Sequence, residues 1–499
     1  MRAFCLFLML AALQAKAQLR LPPFFSDNMV LQRGRPIHFW GRGVSGERVT
    51  IRFSGATRTV LVKPDSSWSL FFPRQPANPI AQNIIIASRS ESLTLKNILI
   101  GDVWICSGQS NMEFPFEREA HAATEYARAA EPVIRFANPA PAGRYVYGVR
   151  YTDSLTRRLN ADSFYRWDGW QNCDSSTIGP MSAVAYYFAK KLVAETHIPI
   201  GLINVSIGGA PLETFISRSA LAASPRFAAK VKAGNWLDND ALSVWARERG
   251  RQNIAGAYRY GDDRGPNHAY KPGFAFDCGL RPLLPMPVKG ILWYQGESNS
   301  LESDRVKEYP ALLHLMIDDY RAGWRDPDLS FYWVQLSSID TVNYQSRYWP
   351  EFRDGQRQLL AAIKHGGMAV CSDIGAKENV HPTNKKDVGE RLARWVLYQD
   401  YHLPVIPSGP LPLRARYIHG EVVVDFRYGD GLRTSDGGGL REISLDGKHD
   451  TYAMIDGATI RIPAAEEPAS VYYGWQPFSR GNLVNAEGLP ASTFKIDVQ

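Results

Sequence analysis

The residues whose types could do chemistry are a serine, a histidine and a set of glycines and amides spread across 499 residues. Ser110 stands in Gly108-Gln109-Ser110-Asn111-Met112, directly after the apolar run Leu99, Ile100, Val103, Trp104, Ile105 and Cys106. A serine on a tight turn at a strand end presents its hydroxyl outward and its backbone N–H toward an oxyanion, as a nucleophile in acyl transfer requires. Such transfer also needs a base, a group to orient the base, and donors for the tetrahedral oxyanion. Among ten histidines, His381 in Glu378-Asn379-Val380-His381-Pro382 is the one best placed to reach another strand end. It is the candidate base, and Glu378, three residues earlier, is the candidate orienter through the other ring nitrogen. The backbone N–H groups of Ser110 and of Gly209, with a side-chain amide from Gln295 or Asn299, make the candidate oxyanion hole.

These residues need strand ends to meet, and the chain supplies them. The run bounded by Gly101 and Gly108 reads as a buried strand. Pro180 to His197 has a helical apolar face with Pro180 near its start, and it leads to a strand from Pro199 to Ile207 that ends at Gly208-Gly209. A strand from Val288 to Tyr294 ends at Gln295-Gly296-Glu297-Ser298-Asn299. A helix from Tyr309 to Trp324 and a strand from Ser330 to Leu336 follow. Met368 to Cys371 is the last strand, and Pro382 fits the first position of a helix with Val388, Leu392, Trp395 and Val396 on one face. Strand and helix thus alternate from about 100 to 400, which predicts an α/β fold with a parallel sheet flanked by helices. Residues 215 to 276 interrupt that alternation as a long excursion, helical over Arg218 to Lys232, of the kind that forms a lid or substrate wall. Arg259, Arg264 and His268 within it can meet an anionic glycan, against the alternative of a solvated charged loop.

Short alternating runs from Leu19 to Asn97 predict a small antiparallel β-sandwich, and strands return from about Leu403. The expected organisation is a signal peptide over 1–17, an N-terminal β-sandwich over 18–97, a catalytic domain over 98–402 and a C-terminal β-region over 403–499. The signal rests on Arg2, the apolar stretch Ala3 to Leu13 and the small-x-small site Ala15-Lys16-Ala17. It implies secretion, to a periplasm, without membrane insertion, since the apolar stretch is too short to span a bilayer. Cys106, Cys173, Cys278 and Cys371 then remain, too few for a disulfide framework. The net charge of +7 is spread without basic blocks, which argues against a nucleic-acid partner. No H-E-x-x-H or clustered Cys/His spacing points to a metal. The 13 tryptophans and 23 tyrosines suit stacking on sugar faces and a β-rich core equally.

Four blocks occur in order: Asp102 to Glu113 (DVWICSGQSNME), Ile207 to Glu213 (IGGAPLE), Trp293 to Asn299 (WYQGESN) and Val380 to Pro382 (VHP). They resemble the sialate O-acetylesterase family of SGNH/GDSL-like hydrolases. Phe25 to Gln32 and Asn485 to Pro490 look like that family's flanking β-regions, so the resemblance covers nearly the whole mature chain. It implies a flavodoxin-like three-layer SGNH hydrolase domain, no metal or other cofactor, and a serine esterase acting on an O-acetylated glycan or sialic acid. Many members carry Asp three residues before the histidine, where this chain has Glu378, so Glu297 or a backbone carbonyl is an alternative orienter. Removal of O-acetyl groups from sialic acids is the leading expectation. Acetylated xylan or another plant polysaccharide is the alternative substrate, and a non-catalytic glycan-binding protein is the alternative class.

Overall fold

The computed structural model describes residues 19–254, 256, 260–342 and 344–499; the expected signal peptide lies outside the described residues. Seven strands form the central sheet: β1 (Ser92–Gly108), β2 (Glu131–Ala137), β3 (Trp170–Cys173), β4 (Ile200–Asn204), β5 (Gly290–Tyr294), β6 (Ser330–Val334) and β7 (Gly366–Ala369). Their spatial order is β3-β2-β4-β1-β5-β6-β7. Every neighbouring pair is parallel except β3, which runs antiparallel to β2 at the edge. Strands β4 to β7 are buried at every residue, the condition of strands covered on both faces. The fold is therefore mixed α/β with a mostly parallel central sheet. Strands β2 and β3, on that side of the sheet, are additional to those expected from the sequence, because Pro132, Arg135, Gln171 and Asn172 break their apolar runs.

Among the helices of the described residues are α1 (Ser110–Glu113), α2 (Ala183–Thr196), α3 (Val244–Ile254), α4 (Ser303–Trp324), α5 (Trp349–Ala362) and α6 (Lys386–Gln399). Ser182 caps α2 by accepting from the Ala185 N–H, so Pro180 precedes the helix. Pro382 does not open α6: Asn384 accepts from the Asp387 N–H, and the helix begins beyond it at Lys386. The expected face of α6 is buried, and Gly389 packs against the backbone of α2 with no room for a side chain. The excursion, expected to be helical over Arg218 to Lys232, also contains α3. That helix is mostly polar, and its Gly250 packs closely against Trp236 and Leu237.

Strand β1 is longer than expected. Its first half pairs antiparallel with Asn78–Ala87 in the N-terminal strand layer, and its second half is the centre of the main sheet. One apolar core runs continuously from Leu19 to Leu411, and a second gathers Ala415 to Phe494. The four cysteines of the described chain are buried and free. No helix of the described residues is long and apolar enough to cross a membrane.

Candidate active site

Strand β1 delivers Ser110 to the carboxyl edge of the sheet, where open α/β folds place their chemistry. Its last residue, Gly108, is paired with Tyr294 of β5. Gly108 has φ +133°, and a Cβ there would lie 2.2 Å from the Tyr294 carbonyl oxygen, so the turn into Ser110 admits only glycine. The Gln109 N–H donates to Tyr294 O at 2.9 Å, and its side-chain oxygen accepts from the N–H groups of Gly296 and Ser298. The serine turn is thereby tied to the loop after β5. Ser110 opens α1 and is partly exposed.

His381 arrives from the loop before α6 and places Nε2 2.7 Å from Ser110 Oγ, across 271 residues of sequence. Burial, and then the cations of Lys385 and Arg118, push the imidazole down to about 4, which keeps it neutral and able to accept a proton at neutral pH. Glu378 is not brought to that ring. It is exposed, and no carboxylate of the described residues is hydrogen-bonded to the imidazole. The loop turns at Asn379, whose side chain accepts from the His381 N–H at 2.9 Å, and this carries Glu378 outward. Glu297 does not meet the ring either; it bonds to Asn111.

Strand β4 continues past its end, with Ile207 N–H donating to Gly108 O, so Gly208-Gly209 turns beside the serine. Gly209 has φ +70°, and a Cβ would sit 2.3 Å from the Tyr270 hydroxyl. Tyr270 donates to Gly208 O at 2.8 Å, while Ser298 and Trp245 donate to Gly209 O at 2.8 and 3.1 Å. A trans peptide points its N–H opposite its carbonyl, so the Gly209 N–H faces away from Tyr270. Neither that N–H nor the one of Ser110 donates to another described residue. Tyr270, Trp245 and Ser298 are the residues sequence reading missed, since each acts only through the glycine turn.

Gln295 and Asn299 are fully buried and engaged elsewhere. Gln295 donates to Asn299 Oδ1 at 2.8 Å and to Ala210 O at 3.2 Å. Asn299 also accepts from the Leu212 N–H and donates to Glu213. Both amides brace the segment after Gly209, and Gln295 meets an oxyanion only by exchanging its longer bond. The brace is anchored by Lys230 from the excursion, buried between Glu213 at 2.8 Å and Glu308 at 2.6 Å.

Of the three groups weighed as contacts for an anionic glycan against a solvated charged loop, Arg264 and His268 turn inward. Arg264 is buried against Asp262 and the Pro272 carbonyl. His268 is enclosed, bonded to Asn253 and to the Tyr270 N–H, and pushed down to about 3 by burial. Arg259 lies outside the described residues. The excursion instead presents Arg249 on α3. Its guanidinium stacks on Trp245 at 4.6 Å and on Tyr147 at 5.7 Å, and it forms no ion pair with the described residues.

Residues 281–398 match the family model of carbohydrate esterases described as sialic acid-specific acetylesterases. That stretch contains Gln295, Asn299 and His381. The chain is 26% identical over 454 residues to sialate O-acetylesterase of Rattus norvegicus, covering 82% of this chain and 79% of that one. It is 25% identical over 439 residues to the Homo sapiens protein of the same name, covering 82% and 76%. Among solved structures, a carbohydrate acetylesterase from Xanthomonas citri superposes with a TM-score of 0.78 at 28% identity, over 96% of this chain and all of that one. Fold and likenesses together define a serine carboxylic-ester hydrolase. More particularly, residues 281–398 match the sialic acid-specific acetylesterase model and most of the chain is similar to sialate O-acetylesterases, so the resemblance drawn from the four motif blocks holds.

Proposed function

We propose that the protein is an exported SGNH-type carbohydrate esterase that removes O-acetyl groups from an acidic glycan, with O-acetylated sialic acid as the favoured substrate. The observation that carries this reading is the 2.7 Å contact of Ser110 Oγ with His381 Nε2 at the carboxyl edge of the sheet, beside Gly209. In this mechanism His381 Nε2 takes the hydroxyl proton as Ser110 Oγ attacks the acetyl carbon. The carbonyl oxygen becomes an oxyanion facing the N–H groups of Ser110 and Gly209, in a turn whose carbonyls are already held. The tetrahedral species collapses as the sugar oxygen leaves with the proton from His381, and acetate remains esterified to Ser110. Water, deprotonated by the same imidazole, releases acetate and restores the serine. An alcohol leaving group asks less of the general acid than an amine, which favours ester cleavage.

The acidic-sugar part is supported by Arg249. A guanidinium stacked on two aromatic rings and without an ion-pair partner, on the residue layer that also holds Gly209 through Trp245, suits a carboxylate on a sugar whose face stacks on an aromatic. Export is supported by the seventeen-residue leader, and the 18–97, 98–402 and 403–499 division by the return of strands on either side of the α/β alternation.

Acetate release from a small acetyl ester, O-acetylated sialic acid and acetylated xylan, by the purified protein and its Ser110→Ala variant, tests the reading. Release that disappears in the variant and is fastest from the sialic acid is the expected result. Equal release by the variant refutes the serine mechanism, and preference for xylan refutes the acidic substrate. Arg249→Met is expected to lower the ratio of kcat/KM for the sialic acid ester over the xylan ester by about tenfold.

A further inference from the structure

A histidine base is commonly aligned by a carboxylate on its second nitrogen, yet no carboxylate of the described residues is bonded to His381. The alignment comes instead from the residue after the nucleophile. Asn111 donates from Nδ2 to the carbonyl of Val380 at 2.9 Å, and that carbonyl belongs to the peptide bond entering His381. The same amide donates to Glu297 Oε1, and its oxygen accepts from Lys385 Nζ at 2.6 Å. A carbonyl only accepts, so Nδ2 must face Val380, and the amide has a single orientation that satisfies all three partners.

The groups that set this orientation are enclosed. Lys385 has no exposed surface, and its ammonium lies over the rings of Phe114 at 4.8 Å and Tyr294 at 5.5 Å. Glu297 is 1% exposed, and its second oxygen is buried without a partner among the described residues. Taking an ammonium and a carboxylate out of water opposes folding, which makes specificity of arrangement the physical reason for keeping them. Burial drives Lys385 down to about 7 and Glu297 up to about 6, so the pair also sits close to its own titration. The cations facing His381 are Lys385 and Arg118, and the carboxylates facing Lys385 are Glu297 and Glu119.

We infer that Asn111, oriented by Lys385 and Glu297, is the positioning residue for the base: it clamps the Val380–His381 peptide to the turn that carries Ser110. It thereby does the aligning that a carboxylate on the imidazole would do. This inference rests on reading Ser110 and His381 as nucleophile and base.

The test measures p-nitrophenyl acetate hydrolysis and inactivation by phenylmethylsulfonyl fluoride for the full chain and for Ser110→Ala, Asn111→Ala and Lys385→Met. Sulfonylation reads the readiness of Ser110 without the sugar site. The expected result is a fall in kcat of about 10- to 100-fold for Asn111→Ala and Lys385→Met, with KM within about twofold and inactivation slowed to match. Lys385→Met also moves the acid limb of kcat/KM upward in pH, because a cation beside the base is gone; a role in packing alone leaves the limb in place. A folded Asn111→Ala with kcat within about twofold of the parent overturns the inference. If that variant loses cooperative unfolding, Asn111→Asp decides: it keeps the shape and loses the donor to Val380, so undiminished kcat overturns the inference and a matching fall supports it. Undiminished turnover in Ser110→Ala refutes the nucleophile reading instead.

Discussion

Residue by residue, the site turns on proton affinity. His381 is held down to about 4 by burial and by neighbouring cations, so its base form persists well below the range of an exposed histidine. Activity that needs neutral imidazole is present above that value and lost as pH falls through it. The acid limb of kcat/KM that the imidazole sets is therefore expected near pH 4 rather than near 6.5, below the titrations of Glu297 and Lys385. A complete loss of activity with its midpoint at about 6.5 contradicts the buried setting of the ring. Glu378 makes the complementary case. Because it is exposed and apart from the imidazole, Glu378→Ala is expected to retain kcat within about twofold, whereas His381→Ala loses about a thousandfold or more. Steady-state kinetics on one small acetyl ester checks both.

Elements matter because β1 ends at the turn that carries Ser110 and β4 leads into the turn that carries Gly209. The Gly108 turn couples β1 to β5 at a separation that leaves no space for a methyl group. Gly108→Ala forces either a φ of +133° on alanine or a displaced β5 end, and is expected to cost about 3 kcal/mol or more of stability together with most activity. Chemical denaturation and acetate release measure the two losses. The Gly208-Gly209 turn is held by a longer chain of contacts that reaches Lys230 through Asn299 and Glu213. Lys230→Met leaves Glu213 buried and unpaired, with an expected loss of about 3–5 kcal/mol in the same denaturation experiment.

Across the molecule, the C-terminal strands are connected to the histidine loop. Arg353 of α5 is fully buried and donates to the carbonyls of Gly474, Gln476 and Pro477 and to the Ser338 hydroxyl. The Ser338 hydroxyl in turn donates to Ser372 O, and the Asp340 N–H donates to Lys377 O at 2.9 Å, in the segment leading to His381. Arg353→Met strands several buried acceptors, each worth about 1–3 kcal/mol. The expected outcome is a lower Tm, faster proteolysis of the chain beyond Leu411 and reduced kcat. A normal Tm and proteolytic pattern would show that these carbonyls find other donors.

The sequence by itself determined the alternation of strands and helices, the central strand ending at Ser110, and the order of the four motif blocks. Each depends on local periodicity or on residues next to one another, which a linear reading can see. It did not determine the partner of His381. Glu378 is close in sequence but turned away by the Asn379 turn, whereas Asn111, Glu297 and Lys385 converge from three separate segments. The same holds for α3, whose polar sequence carries little apolar period, and for Tyr270, Trp245 and Ser298, which act on Gly208-Gly209 from as far as 89 residues away. Contacts of that kind are fixed by how strands register and helices pack. Only the tertiary structure decides them, because side chains that share a site need share no neighbourhood in the chain.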